Sequence, residues 1–540
     1  MSWSPKSVVQ SLFSSECGAA NRLIPRWLFL RALGLIYFSA FYSLFFQIRG
    51  LVGPDGILPA GAYLQAVARS SMAHARFWYV PSVLWIASGS HTLMALCWVG
   101  MVASILLVVN FWPRLMLVIC FVCFLSFVSA AQDFSSYQSD GMLLEAGFIC
   151  LFFAPPGLLP GLGSKHPPSR ASLFLLQWEW LRIYFESGIA KLASGDPQWR
   201  NFTAMDEYYQ NGPLPTWIGW YVQHLPHWFH AASVGATLVM ELGLIWMILL
   251  PRRFRIVLFF IVTCWEAGVI STANYCFLNY LVLSLGILLL DDRFLARFSP
   301  KRWKEQLPVL APDSLVHERA TPAPETGIVQ VFVRPHFRAL KLALSAVMLT
   351  WVFYVTSVEL VWMLAPHFPL PTTPVMVLEP FRIANQYGLF AVMTRGRYEI
   401  EFQGSNDGQN WVAYPFRYKP QKLNEAPGIY APYQPRFDWN LWFASLGTWR
   451  NNSIVPNTEV RLLTNDKDVL GLFAGNPFPQ SPPKQVRAVL WQYWFTTLAE
   501  KKQTGNWWRR EFLGLYAPTI ELEPDGKLGV LAMPEERSPE

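Results

Sequence analysis

The chain has 540 residues, 53% of them hydrophobic and only 15% charged, with 25 Trp, 39 Phe and a formal net charge of +7. Soluble domains carry about 25% charged residues, so the composition excludes an ordinary soluble protein and points to a polytopic membrane protein. The positive charge does not mark a nucleic-acid partner, because its Lys and Arg residues cluster beside apolar runs, where membrane topology needs them.

No cleavable signal peptide is expected, since the first 25 residues are polar and the first apolar run is too long for a signal-peptide core. Residues 1–26 read as a cytoplasmic N-terminus and 27–290 as a multi-span helical domain. Counting the last span, about nine runs are long enough to cross a bilayer: Trp27–Ile48, Leu93–Asn110, Leu115–Ala131, Met142–Leu158, Leu173–Leu192, Ala231–Leu250, Ile256–Ala273, the short Phe277–Leu290, and Leu340–Met363. Phe77–Ala87 holds Pro81, is too short to span, and reads as a half-buried interfacial helix.

The positive-inside rule orients the bundle. Lys6, Arg22 and Arg26 place the N-terminus inside; Arg114, Arg170, Arg252 and the run from Arg293 to Lys304 mark later inner turns. The outer turn with Asp133 and Asp140 has no Lys or Arg, and Ser271–Cys276 has no charge. The exception is the first outer loop, with Arg49, Arg69 and Arg76. Nine spans put everything after Met363 outside the cytoplasm.

The fifth run carries Glu179, Arg182, Glu186 and Lys191. Offsets of three and four place the first three charges on one helical face. An unpaired charge at the bilayer centre costs roughly 2.5–3.5 kcal/mol, so Arg182 is expected to pair with Glu179, with Glu186, or with a carboxylate of another span; Glu145, Glu241 and Glu266 each sit alone in an apolar run. The set reads either as a polar site in the bundle or as an ion-pair network that fixes helix register. The loop after it, through Asp196, Trp199 and Arg200 to Pro213-Leu214-Pro215, is aromatic and Pro-bounded, which suggests an ordered interfacial loop.

Cys120 and Cys123 form a CxxC pair in mid-membrane, where free cysteine acts as a small buried hydrophobe. His224, His227 and His230 recur every three residues, but Pro226 interrupts them and no further ligand follows, so loop packing is expected and no metal. No familiar catalytic or nucleotide-binding motif occurs, and neither catalytic residues nor a cofactor are expected. Asn201 and Asn451 open glycosylation sequons on the predicted outside.

Residues 291–338, rich in Pro and charge, read as a cytoplasmic linker, 339–363 as the last span, and 380–530 as an outside, β-rich α+β domain. Tyr398, Ile400 and Phe402 alternate with Glu399 and Glu401, the period of a half-buried strand. Ser405-Asn406-Asp407-Gly408 is a hairpin signal, with Trp411–Tyr418 expected to return and Val486–Phe495 to form another strand. Trp439, Trp442, Phe443 and Leu446 share a helical face. Arg436 and Asp438 sit at its mouth, and Arg beside aromatics is the composition of binding hot spots, so Arg436, Asp438 and Trp439 are expected to form a client-binding surface.

Several long blocks, in order and nearly end to end, resemble the lipase maturation factors. They include Gly50-Leu51-Val52-Gly53-Pro54-Asp55-Gly56-Ile57-Leu58-Pro59, Ser187–Leu192 followed by Gly195–Arg200, Asn274–Asn279 closing at Asp291-Asp292, Tyr387–Thr394, Gly404–Gly408 and Gln434–Trp439. Two departures stand out: Tyr208 and Gln210 replace the family's His and Glu before Pro-Leu-Pro, and Tyr433 replaces its His before Gln-Pro-Arg. A chemical role for those family side chains would be lost here. The resemblance implies a chaperone-like protein of the endoplasmic reticulum membrane, or of the inner membrane in a bacterium, that assists folding and export of dimeric secreted lipases. The expected partners are the bilayer and secreted client proteins. The rival reading is a membrane enzyme or transporter acting through the set around Arg182.

Overall fold

A computed structural model describes residues 5–135, 137–307 and 328–535. Helices form at each of the apolar runs: α1 (Leu23–Phe45), α2 (Ser90–Val108), α3 (Pro113–Ala130), α4 (Gln138–Phe153), α5 (Arg170–Ala193), α6 (His227–Leu242), α7 (Arg252–Thr272), α8 (Leu278–Gly286) and α9 (Ile328–Leu364). Six of them are long and apolar enough to cross a membrane: α1, α2, α3, α7, α6 with its extension to Leu249, and the Arg338–Leu364 part of α9. By this measure the nine expected spans are not reached. The three others fall short through length or charge. Helix α4 has 16 residues and α8 only nine, while α5 is long enough but carries the charge set. All three are largely buried among the other helices, and a helix with little lipid-facing surface need not be apolar throughout.

The loops sort to two ends of the bundle. At one end Arg26 donates to the carbonyls of Leu162, Gly163 and His166 at 2.7–3.0 Å, and Arg114 to that of Ala154 at 2.8 Å. Asp292 accepts the backbone N–H groups of Leu23 and Ile24 at 3.0 and 2.8 Å, capping the start of α1. Arg252 pairs with Asp291. Every turn predicted to be cytoplasmic up to Asp292 meets here; residues 308–327 of the predicted linker lie outside the described residues.

At the other end the four predicted outer turns all touch the C-terminal domain. Arg461 Nε and Asn457 Nδ2 donate to the carbonyls of Gly56 and Ile57 at 3.1 Å, and Arg49 pairs with Asp468 at 2.5 Å. Gly50 is glycine of necessity, since a Cβ there would collide with the Asp468 carbonyl oxygen. Asn274, after α7, accepts the N–H groups of Tyr430 and Ala431 and donates to Gly428 O at 2.7–3.0 Å. The remaining two turns supply the contacts described below.

The domain is built on an antiparallel sheet in the order β2-β1-β3-β5-β6, with β4 also paired to β3. β1 (Arg397–Ser405) pairs along its whole length with β3 (Gln485–Phe495); β4 is Trp508–Leu515, β5 Thr519–Leu522 and β6 Leu528–Ala532. The expected turn forms: Asp407 Oδ1 accepts the N–H groups of Gln409 and Asn410 at 2.9 and 2.8 Å, and Gly408 takes φ +74°. The return strand is shorter than expected, only β2 (Val412–Ala413). Nor is β1 half-buried. Ile400 and Phe402 are buried in the core, where Phe402 meets Phe416 and Phe473, and Glu399 is buried on the other face with Arg397 and Lys419 at 2.5 and 2.8 Å.

Candidate functional site

Between α9 and β1 the chain descends as a non-helical strap, residues 382–396, along α5. Irregular backbone packed away from water needs protein groups to satisfy its N–H and C=O groups. The charges of α5 do this. Arg182 donates to Asn385 O at 2.6 Å, and Glu186 accepts Tyr387 N–H at 2.7 Å. Lys191 donates to Leu389 O at 3.0 Å, and Ser187 accepts Leu389 N–H at 3.3 Å. Past the helix end, Asp196 accepts Met393 N–H at 2.7 Å and Trp199 Nε1 donates to Phe390 O at 3.0 Å. Arg200 is exposed and donates to Leu192 O, in the last turn of α5, at 3.3 Å.

The set is completed from other helices. Arg182 is ion-paired with Glu145 of α4 and lies 3.7 Å from Glu186. Glu145 also accepts from Asn385 N–H at 3.1 Å and Tyr387 OH at 2.8 Å, while the Arg182 guanidinium lies 5.2 Å from the Tyr387 ring centre. Lys191 pairs with Glu241 of α6 at 2.9 Å. Glu266 is engaged by Tyr184 OH and Asn279 at 2.5 and 2.8 Å. Glu179 is buried but forms no salt bridge with Arg182; of the three partners expected, the structure shows Glu186 and a carboxylate of another helix, Glu145. Sequence reasoning named Glu145 as one possible partner and Tyr387 as the start of a family-like block; it missed that Asn385 and Tyr387 meet this set.

The second connection corrects the expected client surface. Arg436 opens α10 (Arg436–Ser445), yet it is fully buried, gripping Asp140 at 2.7 and 2.8 Å and donating to Phe134 O at 2.7 Å. Its guanidinium lies 5.0 Å from the Phe127 ring centre, and Trp439 stacks on Tyr137 at 5.3 Å. Arg436 thus docks the domain on the bundle and presents no open surface, whereas Trp439, though buried, lines the groove described below. Asp438 is buried too, accepting the N–H groups of Tyr418 and Lys419 at 3.3 Å.

Burial pushes the Asp438 carboxyl up from 3.8 to about 6, against the pull of Lys419 and the backbone N–H groups. A carboxyl raised on folding binds its proton more tightly in the folded than in the unfolded chain. Its stabilisation is therefore complete below pH 3.8 and is lost as pH rises to about 6. Asp438→Asn should flatten the pH dependence of the domain's melting temperature across that window; an unchanged slope would exclude this role.

Between strap, α10 and outer turns lies a groove of about 590 Å³, within the ~300–1,000 Å³ of ligand sites. Its walls are mainly aromatic and apolar, including Tyr208, Tyr275, Phe390, Val392, Trp442 and Phe443. Val392 is 69% and Phe443 46% exposed. The departure Tyr208 lines this groove, and the exposed Asn451 stands at it; Asn201 is also exposed. Gln210 bonds Phe495 N–H at 3.1 Å and Tyr433 bonds Gln47 at 3.2 Å, both as packing contacts.

The three histidines diverge. His224 bonds Trp220 O and Thr496 O, His227 bonds Asp206, and His230 is buried beside Tyr209. Among the described residues no three His, Cys, Asp or Glu side chains cluster for a metal. Cys120 and Cys123 are buried free thiols.

Residues 24–297 match the lipase maturation factor transmembrane domain, and residues 383–518 the lipase maturation factor C-terminal domain. The chain is 31% identical to lipase maturation factor 2 of Gallus gallus, over 94% of this chain and 83% of that protein. It is 30% identical to lipase maturation factor 1 of Bos taurus, over 92% and 89% of the two chains, and 30% identical to that of Homo sapiens, over 93% and 88%. No solved structure matches.

Proposed function

The chain belongs to the lipase maturation factor family, and on that premise we propose that it is a membrane-anchored, chaperone-like factor that helps secreted, lipase-type clients fold and assemble. The observation that carries this reading against an enzyme or transporter is the engagement of the charge set. Arg182 has no exposure and is consumed by Glu145, Glu186 and the strap backbone. Charges that work in transport or catalysis line water-filled cavities; Arg182 and Glu186 instead hold a piece of backbone in place, and Lys191, beside a small cavity of about 80 Å³, is paired with Glu241.

The groove beside the strap is the surface best suited to an apolar client segment, since aromatic walls around a concave, partly polar site are typical of recognition. With a co-expressed dimeric secreted lipase, Phe443→Ser with Val392→Ser should lower secreted lipase activity several-fold. The melting temperature should stay put, because both side chains are largely exposed. Undiminished secretion would exclude the groove.

In this reading all nine helices cross the membrane, and the C-terminal domain lies on the lumenal or periplasmic side. The strict sorting of alternate turns to opposite ends of the bundle supports it, because an even number of crossings before the domain would place it among the basic inner turns. A reporter fused after residue 540 should be active in the lumen or periplasm; cytoplasmic activity would overturn the topology.

A further inference from the structure

The first outer loop carries three arginines on the side where translocated loops usually lack them. Arg49 is accounted for by Asp468. Arg69 and Arg76 are not: neither pairs with a carboxylate among the described residues, and the Arg76 guanidinium lies 4.8 and 5.4 Å from the ring centres of Phe77 and Trp85. Beside them the chain displays apolar side chains that a water-facing loop would bury. Phe77 is 61% exposed, Trp78 44% and Ile86 89%.

Depth explains the display. Ser82 Oγ donates to Ser126 O at 2.8 Å, and Val83 N–H donates to Ser126 Oγ at 3.0 Å. Ser126 lies one turn inside the end of α3 at Ala130, and one turn further in Val122 faces outward. Residues 82–86 thus pack beside a spanning helix at the level of its outer turns. The segment also closes its own polar groups, as a water-poor surrounding requires. Val80 N–H reaches Arg76 O at 2.9 Å, Ile86 N–H reaches Val83 O at 3.0 Å, and Trp85 Nε1 reaches Val80 O at 2.8 Å. Trp78 meets Phe381 edge-on at 4.8 Å, which ties the loop to the segment after α9, where Phe368 and Met376 are likewise exposed.

We propose that residues 69–86 form an in-plane membrane anchor, in which Phe77, Trp78 and Ile86 enter the outer leaflet while Arg69 and Arg76 take the phosphates of anionic phospholipids. Unpaired cations beside aromatic residues at the level of a helix end match the chemistry of a headgroup layer. A protein partner would have to reach the same side chains at the depth of lipid-facing α3.

The test uses the full chain with Cys17→Ser and Cys264→Ser, spin-labelled at Ile86→Cys or Phe77→Cys. It is reconstituted in phosphatidylcholine vesicles with and without phosphatidylglycerol. Both labels should be several-fold more accessible to oxygen than to a water-soluble nickel chelate, at a depth of about 5–10 Å. Phosphatidylglycerol should slow the label at Phe77→Cys, and Arg69→Gln with Arg76→Gln should abolish that response without changing depth in neutral lipid. Nickel accessibility at both labels would overturn the anchor, as would spin–spin broadening from a second copy. A parent protein indifferent to phosphatidylglycerol would overturn the headgroup assignment.

Discussion

Replacing Arg182 with leucine should cost about 3–5 kcal/mol of stability, the penalty for leaving buried carboxylates without their cation. Arg182, Glu145 and Glu186 have side-chain exposures of 0–1%, so no water replaces the guanidinium. The loss also frees Asn385 O, which Arg182 now holds at 2.6 Å, and loosens the strap. Accumulation in the membrane and the melting temperature in detergent should both fall. Removing Glu145 as well should recover part of the loss, because an excised buried pair is milder than a broken one. A single variant that melts like the parent would show that Arg182 does not hold this network together.

Arg436→Ala should have an effect of similar size by the same rule, about 3–5 kcal/mol, but located where the domain meets the bundle. Arg436 and Asp140 have no side-chain exposure and meet through two parallel hydrogen bonds. Lysine cannot reproduce that fork, so Arg436→Lys should fail nearly as badly. The expected signature is rapid proteolysis between α9 and β1, as the strap leaves its groove, with β1 and β3 still protected. Equal protease resistance in parent and variant would separate Arg436 from docking.

The sequence showed the elements better than their partners. The charge spacing on α5 and the turn at Asp407 are local patterns, and both survive in the structure. What governs them is remote: Arg182 finds Glu145 37 residues away and Asn385 203 residues away, and β1 pairs along its whole length with the distant β3 but only briefly with the hairpin return β2. Hydropathy detected the helix at α4 and α8 but not their position inside the bundle, where being buried by protein relaxes the length and apolarity that lipid demands. The α10 stripe was equally ambiguous. Trp439 and Trp442 are buried while Phe443 and Leu446 are exposed, and periodicity alone cannot say which surface lies against a second layer. Arg436 illustrates the risk of reading composition: the residue types of a binding hot spot here serve an internal interface.

The distance in sequence between α5 and its strap has a consequence for biogenesis. Glu186 and Tyr387 are 201 positions apart, and ribosomes add roughly 5–20 residues per second. For roughly 10–40 s after α5 is synthesised, its carboxylate therefore has no backbone to hold, and the nascent bundle carries an open polar seam. The last helix must enter the bilayer before that seam closes, which makes translation of the final third of the chain the step that seals the membrane domain.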